Sequence, residues 1–369
     1  MIDNHGDLET LIVDLSNAGA AGVDTEMVWE RTFYPKLGII QIALPQDQCF
    51  LIDVPAVADG LSALGPFLSG SGVKILHDAV QDLTVLRRAT GASSRSVFDT
   101  RVAAGFAGLS CRISLRDLLS EVLSIELEKT ETRTDWLQRP LSAMQIEYAR
   151  KDVCYLIELR ERLLERARDR GLEHWLEEEM ASLNDPSLYE ERDPRCQYDR
   201  IKGSGKLSRR GLAVLRELAA WRDEMARELD RPRSRILADK TLLTLSSLKP
   251  KTEDDLRKIR GFRDSRIERY GAGLLSAVQA GLAVREGDCP KAAPRSRYDE
   301  RVDKRAAEAI KILEQRSAER GIDQELVATR SEVRQLMRAN SDASANARLL
   351  QGWRREFLGN ELEEMAQAR

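Results

Sequence analysis

Asp24 and Glu26 stand two residues apart inside an apolar stretch that also holds Val23, Val28 and Trp29. In an extended chain, side chains at i and i+2 leave the same face. The two carboxylates are therefore presented together. Adjacent anions beside a core are costly unless a cation neutralises them. Oxygen ligands without histidine or cysteine select hard ions, Mg²⁺ or Mn²⁺. The alternative is an edge strand whose polar face meets water, and an isolated Asp-x-Glu favours that alternative.

Two further groups have the types and spacings of a site. Asp82 closes the run His77-Asp78-Ala79-Val80-Gln81-Asp82, which follows a short apolar strand. It falls in the first turns of a helix, and ligands of α/β sheets gather at strand C-terminal ends. Its alternative is simple favourable placement near a helix N-terminus. His77 reads as a packing or hydrogen-bonding residue and Asp78 as an N-cap. Tyr148 and Asp152 are spaced i, i+4 on a helix and share a face, which Tyr155 continues. The alternative there is a half-buried tyrosine beside a solvated aspartate.

The elements that must position these residues follow from periodicity. Ala21–Val28, Leu37–Leu44 and Cys49–Val54 read as strands joined by short links, which favours an antiparallel meander. Leu61–Leu68 reads as helix, Val73–Leu76 as strand, Val80–Ala89 as helix and Ser96–Phe98 as a last strand. Helices are expected at Ser114–Leu123 and from Ser142 to about Arg170. The pattern is a mixed sheet with helices packed on it. Asn184–Ser208, rich in Pro, Gly, Ser and charge, reads as a linker. After it only helical spacings occur, in two blocks separated by a second linker at Gly287–Arg297. The two blocks read as divergent copies of one module.

Singly these signals are weak, but their order is informative. Asp-x-Glu on a first strand, an aspartate after a later strand and Tyr-x₃-Asp on a helix resemble the DEDD exonucleases, in their tyrosine subgroup. Glu30-Arg31-Thr32-Phe33-Tyr34-Pro35-Lys36-Leu37-Gly38, Phe98-Asp99-Thr100, and Thr134-Asp135-Trp136 with Arg139-Pro140-Leu141 are similar to the bacterial ribonuclease D family. The likeness spans roughly residues 10–170. It implies an α/β, ribonuclease H-like fold over residues 1–190. It also implies that Asp24, Glu26, Asp82 and Asp152 bind two divalent metal ions, Mg²⁺ or Mn²⁺. Tyr148 would orient the attacking water, since a phenol of reference pKa about 10 is a poor full base at neutral pH. The products would be nucleoside 5′-monophosphates released from a 3′ end. Asp99, Asp135 and Trp136 read as fold-organising residues. Met27 stands where the family often has phenylalanine, and Asp78 where it usually has a small residue.

The helical blocks carry a second resemblance. Trp221 within Leu212–Leu229, the run Arg231-Pro232-Arg233-Ser234-Arg235-Ile236-Leu237, Leu248-Lys249-Pro250 and Ile259-Arg260-Gly261-Phe262 resemble the HRDC module, a helical nucleic-acid-binding domain. Residues 205–285 form this domain. Residues 298–369, with Leu326-Val327-Ala328-Thr329-Arg330 and Gly352-Trp353-Arg354, resemble a second, divergent copy. Arg231, Arg233 and Arg235, near Lys202, Lys206, Arg209 and Arg210, are the expected phosphate contacts, with Lys129 and Arg133 nearer the carboxylates. Each has a plain alternative as a solvated surface charge. Trp221 and Trp353 read as core residues.

Charge supports a two-part chain. The formal net charge is −3, yet residues 1–195 hold 21 Lys/Arg against 33 Asp/Glu and residues 196–369 hold 37 against 28. An acidic front and a basic back suggest different tasks, and clustered Lys/Arg bind phosphates with little sequence information. Five scattered cysteines exclude a zinc knuckle or a disulfide framework and fit a cytoplasmic chain. No apolar run reaches membrane-spanning length, and Met1–Thr10 is too polar for a signal peptide. The expected activity is a 3′→5′ exoribonuclease acting on RNA, tRNA precursors above all, with no obligate protein partner. The rivals are a DNA 3′→5′ exonuclease, because the same site cleaves either backbone, and a non-catalytic RNA-binding adaptor.

Overall fold

Five strands build the sheet that carries the carboxylates: β1 (Ala20–Val28), β2 (Lys36–Leu44), β3 (Gln48–Asp53), β4 (Val73–Leu76) and β5 (Val97–Asp99). Their order across the sheet is β3-β2-β1-β4-β5. β2 and β3 form an antiparallel hairpin, and β1, β4 and β5 run parallel, so the sheet is mixed. Gln46 and Asp47 both take positive φ in the hairpin turn, the geometry that matches the twist of adjoining strands. β2 is buried along nearly its whole length, as expected where both faces of a strand are covered. The computed structural model describes residues 1–127, 134–259, 262–290, 300–338 and 347–367.

Helices close both faces. Leu8, Leu11 and Leu15, spaced three and four apart, bury one stripe of the helix His5–Asn17. Leu156, Leu159, Leu163 and Ala167 do the same on the helix Leu156–Asp169. The expected helix from Ser142 is two helices, Ala143–Cys154 and Leu156–Asp169, which meet at Tyr155. The first starts on a reciprocal capping box between Ser142 and Gln145. Tyr155 therefore does not continue the Tyr148 face. The helices His5–Asn17, Thr100–Phe106 and Glu173–Ser182 add to the elements read from periodicity.

The chain divides into two units, Met1–Met27 with Leu37–Glu190 and Tyr298–Arg369, and Val28–Lys36 with Glu191–Arg297. The C-terminal block thus shares one core with the sheet domain. Val302, Ala306, Ala309 and Leu313 of the helix Glu300–Arg320, together with Trp353 and Leu358, belong to the same apolar cluster as Phe106 and Trp175. Trp353 lies 5.1 Å from Phe106 and 5.6 Å from Trp175, ring to ring. Arg354 closes this junction with a bidentate pair to Glu179 at 2.7 Å.

The second unit has its own core. Leu212, Leu215 and Leu218 of the helix Arg209–Glu228 pack with Leu242 and Leu245 of Asp239–Leu248 and with Ile267 and Leu274 of Asp264–Ala283. The stretch read as the linker Asn184–Ser208 is instead ordered in three short 3₁₀ turns. Tyr189 is buried and its hydroxyl donates to the Leu183 carbonyl at 2.5 Å, while Gln197 and Ile201 are buried in the second unit. Their apolar and amide groups outweigh the turn-forming composition around them.

Candidate active site

β1 places Asp24 and Glu26 on one side, as its two-residue period requires. The helix Ala143–Cys154 brings Asp152 to them: carboxylate oxygens of Asp24, Glu26 and Asp152 all lie within 4.8 Å of one another. Gly22 makes this approach possible. A Cβ there would sit 2.9 Å from the Val153 carbonyl oxygen and 3.1 Å from Leu156 Cβ. The missing side chain, two residues from Asp24, lets the helix end lie against the strand.

Asp82 sits outside this triad, at the start of the helix Ala79–Thr90. The Thr25 hydroxyl, pointing away from Asp24 and Glu26, donates to it in a short hydrogen bond. Asp82 still acts on the cluster through its charge, which raises both Asp24 and Glu26. The helix bearing Asp82 is anchored by Asp99, whose carboxylate accepts from the Asp78 and Ala79 amides at 3.2 and 2.8 Å. Asp99 also caps Thr100–Phe106. Asp78 is not the side-chain cap expected. It takes a left-handed φ of 69° and turns its carboxylate to Arg101 instead. His77 joins Thr100 Oγ1 at 2.9 Å and the Ile113 carbonyl at 3.1 Å. Burial and Arg101 hold its pKa down at about 4, so it stays neutral.

Electrostatics marks the cluster as cation-seeking. Burial, then Asp82, Asp152 and Glu26, raise Asp24 well above the usual carboxylate range. Burial, then Asp152 and Asp82, push Glu26 up to about 8. Burial raises Asp152 to about 7 and Asp82 to about 6, against the hydrogen bonds from Tyr148 and Thr25. Among the described residues no lysine or arginine forms an ion pair with any of the four. The half-buried carboxylates of Asp24, Glu26 and Asp152 and the buried one of Asp82, with no counter-cation and all hard oxygen donors, are a fit for divalent ions of the Mg²⁺ or Mn²⁺ type.

Tyr148 completes the cluster. Its hydroxyl hydrogen-bonds Asp152, one helical turn away. Burial and the charges of Asp152, Glu26 and Asp24 push the phenol above its ordinary value, so it stays protonated. The Trp136 ring, buried 6.1 Å from the Tyr148 ring, backs it. Trp136 is held against β2, where a Cβ on Gly38 would sit 2.3 Å from the Trp136 carbonyl oxygen. Arg139 straps this segment down. It pairs bidentately with Asp53 at 2.7 Å and donates to the carbonyls of Gly38 and Trp136. Sequence reasoning missed Gly22, Thr25 and Asp53 as supports. A glycine inside an otherwise apolar strand was the available signal for the first. Nothing in the sequence marked Thr25 or Asp53.

The expected phosphate contacts fare differently. Lys129 and Arg133 lie outside the described residues. Arg231 and Arg235 are exposed in the second unit. Arg233 is half-buried, pairs with the fully buried Asp223 and stacks 4.5 Å over the Phe33 ring. Arg209 and Arg210 are occupied by carbonyls at the end of the helix Asp264–Ala283 and just beyond it. Trp353 is buried and Trp221 half-buried, packed edge-on to Tyr270. No helix among the described residues is long and apolar enough to cross a membrane, and all five cysteines are free.

Comparison with known proteins agrees with this geometry. Residues 1–168 match the 3′-5′ exonuclease family and residues 211–278 the HRDC domain. A ribonuclease D from Desulfotalea psychrophila is 38% identical, covering 97% of this chain and 96% of its own. One from Pseudomonas paraeruginosa is 35% identical over 92% and 90%. The crystal structure of Escherichia coli RNase D, an exoribonuclease involved in structured RNA processing, matches with a TM-score of 0.88. It is 27% identical and covers 100% of this chain and 98% of that one.

Proposed function

Because the chain belongs to the ribonuclease D family and is a hydrolytic 3′→5′ exoribonuclease, we propose that it trims 3′ extensions from structured RNA precursors, tRNA above all, by a two-metal mechanism. The observation that carries the proposal is the half-buried cluster Asp24, Glu26 and Asp152, with the buried Asp82 acting on it, and no counter-cation among the described residues. These four would hold two divalent ions, and Asp82 would exchange its bond to Thr25 for that role. Bound ions supply charge neutralisation and Lewis-acid polarisation at the scissile phosphate.

The protein's own groups do the rest. Tyr148, kept protonated, donates to Asp152 and offers its oxygen lone pair to a water proton, which aims the water for in-line attack. Trp136 and Arg139 fix the tyrosine ring and the strap behind it. The products are nucleoside 5′-monophosphates. The second unit captures RNA through phosphate contacts, with Arg231 and Arg235 foremost and Arg233 contributing mainly to their scaffold. Lys129 and Arg133 are further proposed phosphate contacts.

We also read residues 298–369 as a second, divergent HRDC-like module. Supporting this, a long helix, a four-residue helix and a third helix follow one another with nearly the same spacing in both blocks. They are Arg209–Glu228, Arg233–Ile236 and Asp239–Leu248, against Glu300–Arg320, Gln324–Val327 and Arg330–Arg338. The short helix ends on an extended residue in each, Leu237 and Ala328. We further propose that it works in the cytoplasm, which the free cysteines fit, and without an obligate protein partner.

The test is incubation with 3′-extended tRNA and with a matched single-stranded DNA, each with Mg²⁺, Mn²⁺ or chelator. Mononucleotide release from the tRNA, abolished by chelator, is the expected result. Faster release from the DNA would make the chain a DNA exonuclease. No release from either would make it a binding protein.

A further inference from the structure

Trp29 is 58% exposed, while Trp136, Trp175 and Trp353 are buried and Trp221 half-buried. Its indole makes no hydrogen bond or ring contact among the described residues. It lies on the rim of a groove of about 560 Å³ in the second unit, lined also by Phe33, Arg200, Pro232, Arg233 and Ser234. That volume is in the range of small-ligand sites.

The groove is built rather than accidental. The Phe33 and Tyr34 amides both donate to Asp230, which fixes the loop. The Phe33 ring is covered by Arg233 at 4.5 Å and Arg227 at 5.2 Å. Arg233 is neutralised by Asp223, and Arg222 by Asp239. Of the three arginines lining the groove, Arg200 alone makes no ion pair among the described residues, and it is exposed. Arg231 and Arg235 flank the Pro232–Ser234 wall in sequence and are exposed.

We propose that this groove holds one unpaired nucleotide of the RNA, its base stacked on the Trp29 indole and its phosphate on Arg200. An aromatic face beside an uncompensated cation is how single strands are held without sequence preference. Paired RNA does not fit, because its bases are stacked inside the helix. The positive surroundings favour a polyanion over a neutral peptide. Trp29 thus extends the substrate contacts beyond the carboxylate cluster, from a position three residues after Glu26 in the chain. The inference rests on the reading of the chain as an RNA nuclease.

Tryptophan fluorescence titrated with a short oligoadenylate RNA carrying phosphorothioate linkages tests it. The wild-type signal should be quenched, and Trp29→Phe should remove the quench while holding affinity within about threefold. Trp29→Ala should weaken binding about tenfold. Arg200→Gln should lower the slope of log affinity against log salt by about 0.7. A quench that persists in Trp29→Phe, wild-type affinity in Trp29→Ala, or quenching by an acidic peptide and not by RNA overturns the groove. If the wild type releases mononucleotides from unmodified RNA while the variants bind normally, only the groove fails. If it releases none, the nuclease reading fails first.

Discussion

Gly22→Ala isolates the contact on which the carboxylate cluster depends. The added Cβ would stand 2.9 Å from the Val153 carbonyl oxygen, about 0.5 Å short of ordinary contact, and also close to Leu156 Cβ. Neither obstacle is a flexible chain end. One is backbone and the other is the root of a fully buried leucine. The helix end carrying Asp152 must therefore move by about half an ångström. Overpacking of this kind costs about 1–3 kcal/mol, which lowers Tm by roughly 2–10 °C in a unit of this size. A 1 Å misplacement of reacting groups costs up to about 10²-fold in rate, so half of that costs about tenfold in kcat. Intrinsic strand propensity opposes the effect, since alanine favours a strand over glycine. Differential scanning fluorimetry and single-turnover hydrolysis of an RNA oligonucleotide at saturating Mg²⁺ measure both quantities. Wild-type kcat in a variant with wild-type Tm would refute the claim that the helix and strand define the cluster through this contact.

Asp24→Asn should reduce hydrolysis to background and, in chelator, raise Tm, because it removes a half-buried carboxyl whose ionisation is opposed by three neighbouring carboxylates; a lowered Tm in chelator would contradict the electrostatic account. Glu26 has a folded pKa of about 8, above its unfolded value, so the folded form holds its proton more tightly. Metal-free stability should therefore be highest at low pH and fall as pH rises from about 4 through about 8, and the Tm gain on adding Mg²⁺ should grow over the same window. A pH-independent gain would refute it. Arg139→Ala strips Asp53 of its bidentate partner and frees the Trp136 strap, for about 2–3 kcal/mol of stability and a fall in kcat that Arg139→Lys does not restore. Deleting residues 298–369 should leave the sheet domain insoluble or without a cooperative melt, since Phe106 and Trp175 lose the Trp353 face. A soluble, cooperatively melting truncation would show the two cores to be separable.

The sheet was largely legible because each strand carries a local signal. Apolar runs of strand length, bounded by turn residues, place β1 to β5 within one or two residues. The helix His5–Asn17 was not, because its apolar stripe of Leu8, Leu11 and Leu15 begins inside a polar, acidic stretch. The cluster's members were legible as a set of motifs, and Tyr148 with Asp152 by helical spacing alone. Its supports were not, since Thr25 to Asp82 and Arg139 to Asp53 are contacts between residues 57 and 86 positions apart. Arg233 shows the opposite failure. Composition marks it as one more surface cation, and only the buried Asp223 reveals a scaffold role. The C-terminal block has the amphipathic period of a free-standing helical module, and periodicity alone does not say which core its apolar stripe joins.

That shared core also changes the meaning of the charge asymmetry. Counted by structural unit, the sheet unit with its C-terminal block holds 30 Lys/Arg against 44 Asp/Glu, or −14, and the other unit 28 against 17, or +11. The separation is wider than the −12 and +9 of the two sequence halves. The loop Val28–Lys36 and the block from Tyr298 each belong to the unit whose sign they reinforce or leave unchanged. A polyanion meeting the sheet unit without its cations faces repulsion from the cluster and from the surface around it, while the other unit attracts it. With RNA capture by the basic unit as proposed above, affinity for RNA depends on two separable terms. One is phosphate contact on the basic unit, which weakens with monovalent salt. The other is neutralisation of the four carboxylates, which depends on divalent ions and on pH. Salt and Mg²⁺ should accordingly shift binding independently, with Arg200 and its neighbours setting the first response and Asp24, Glu26, Asp82 and Asp152 the second.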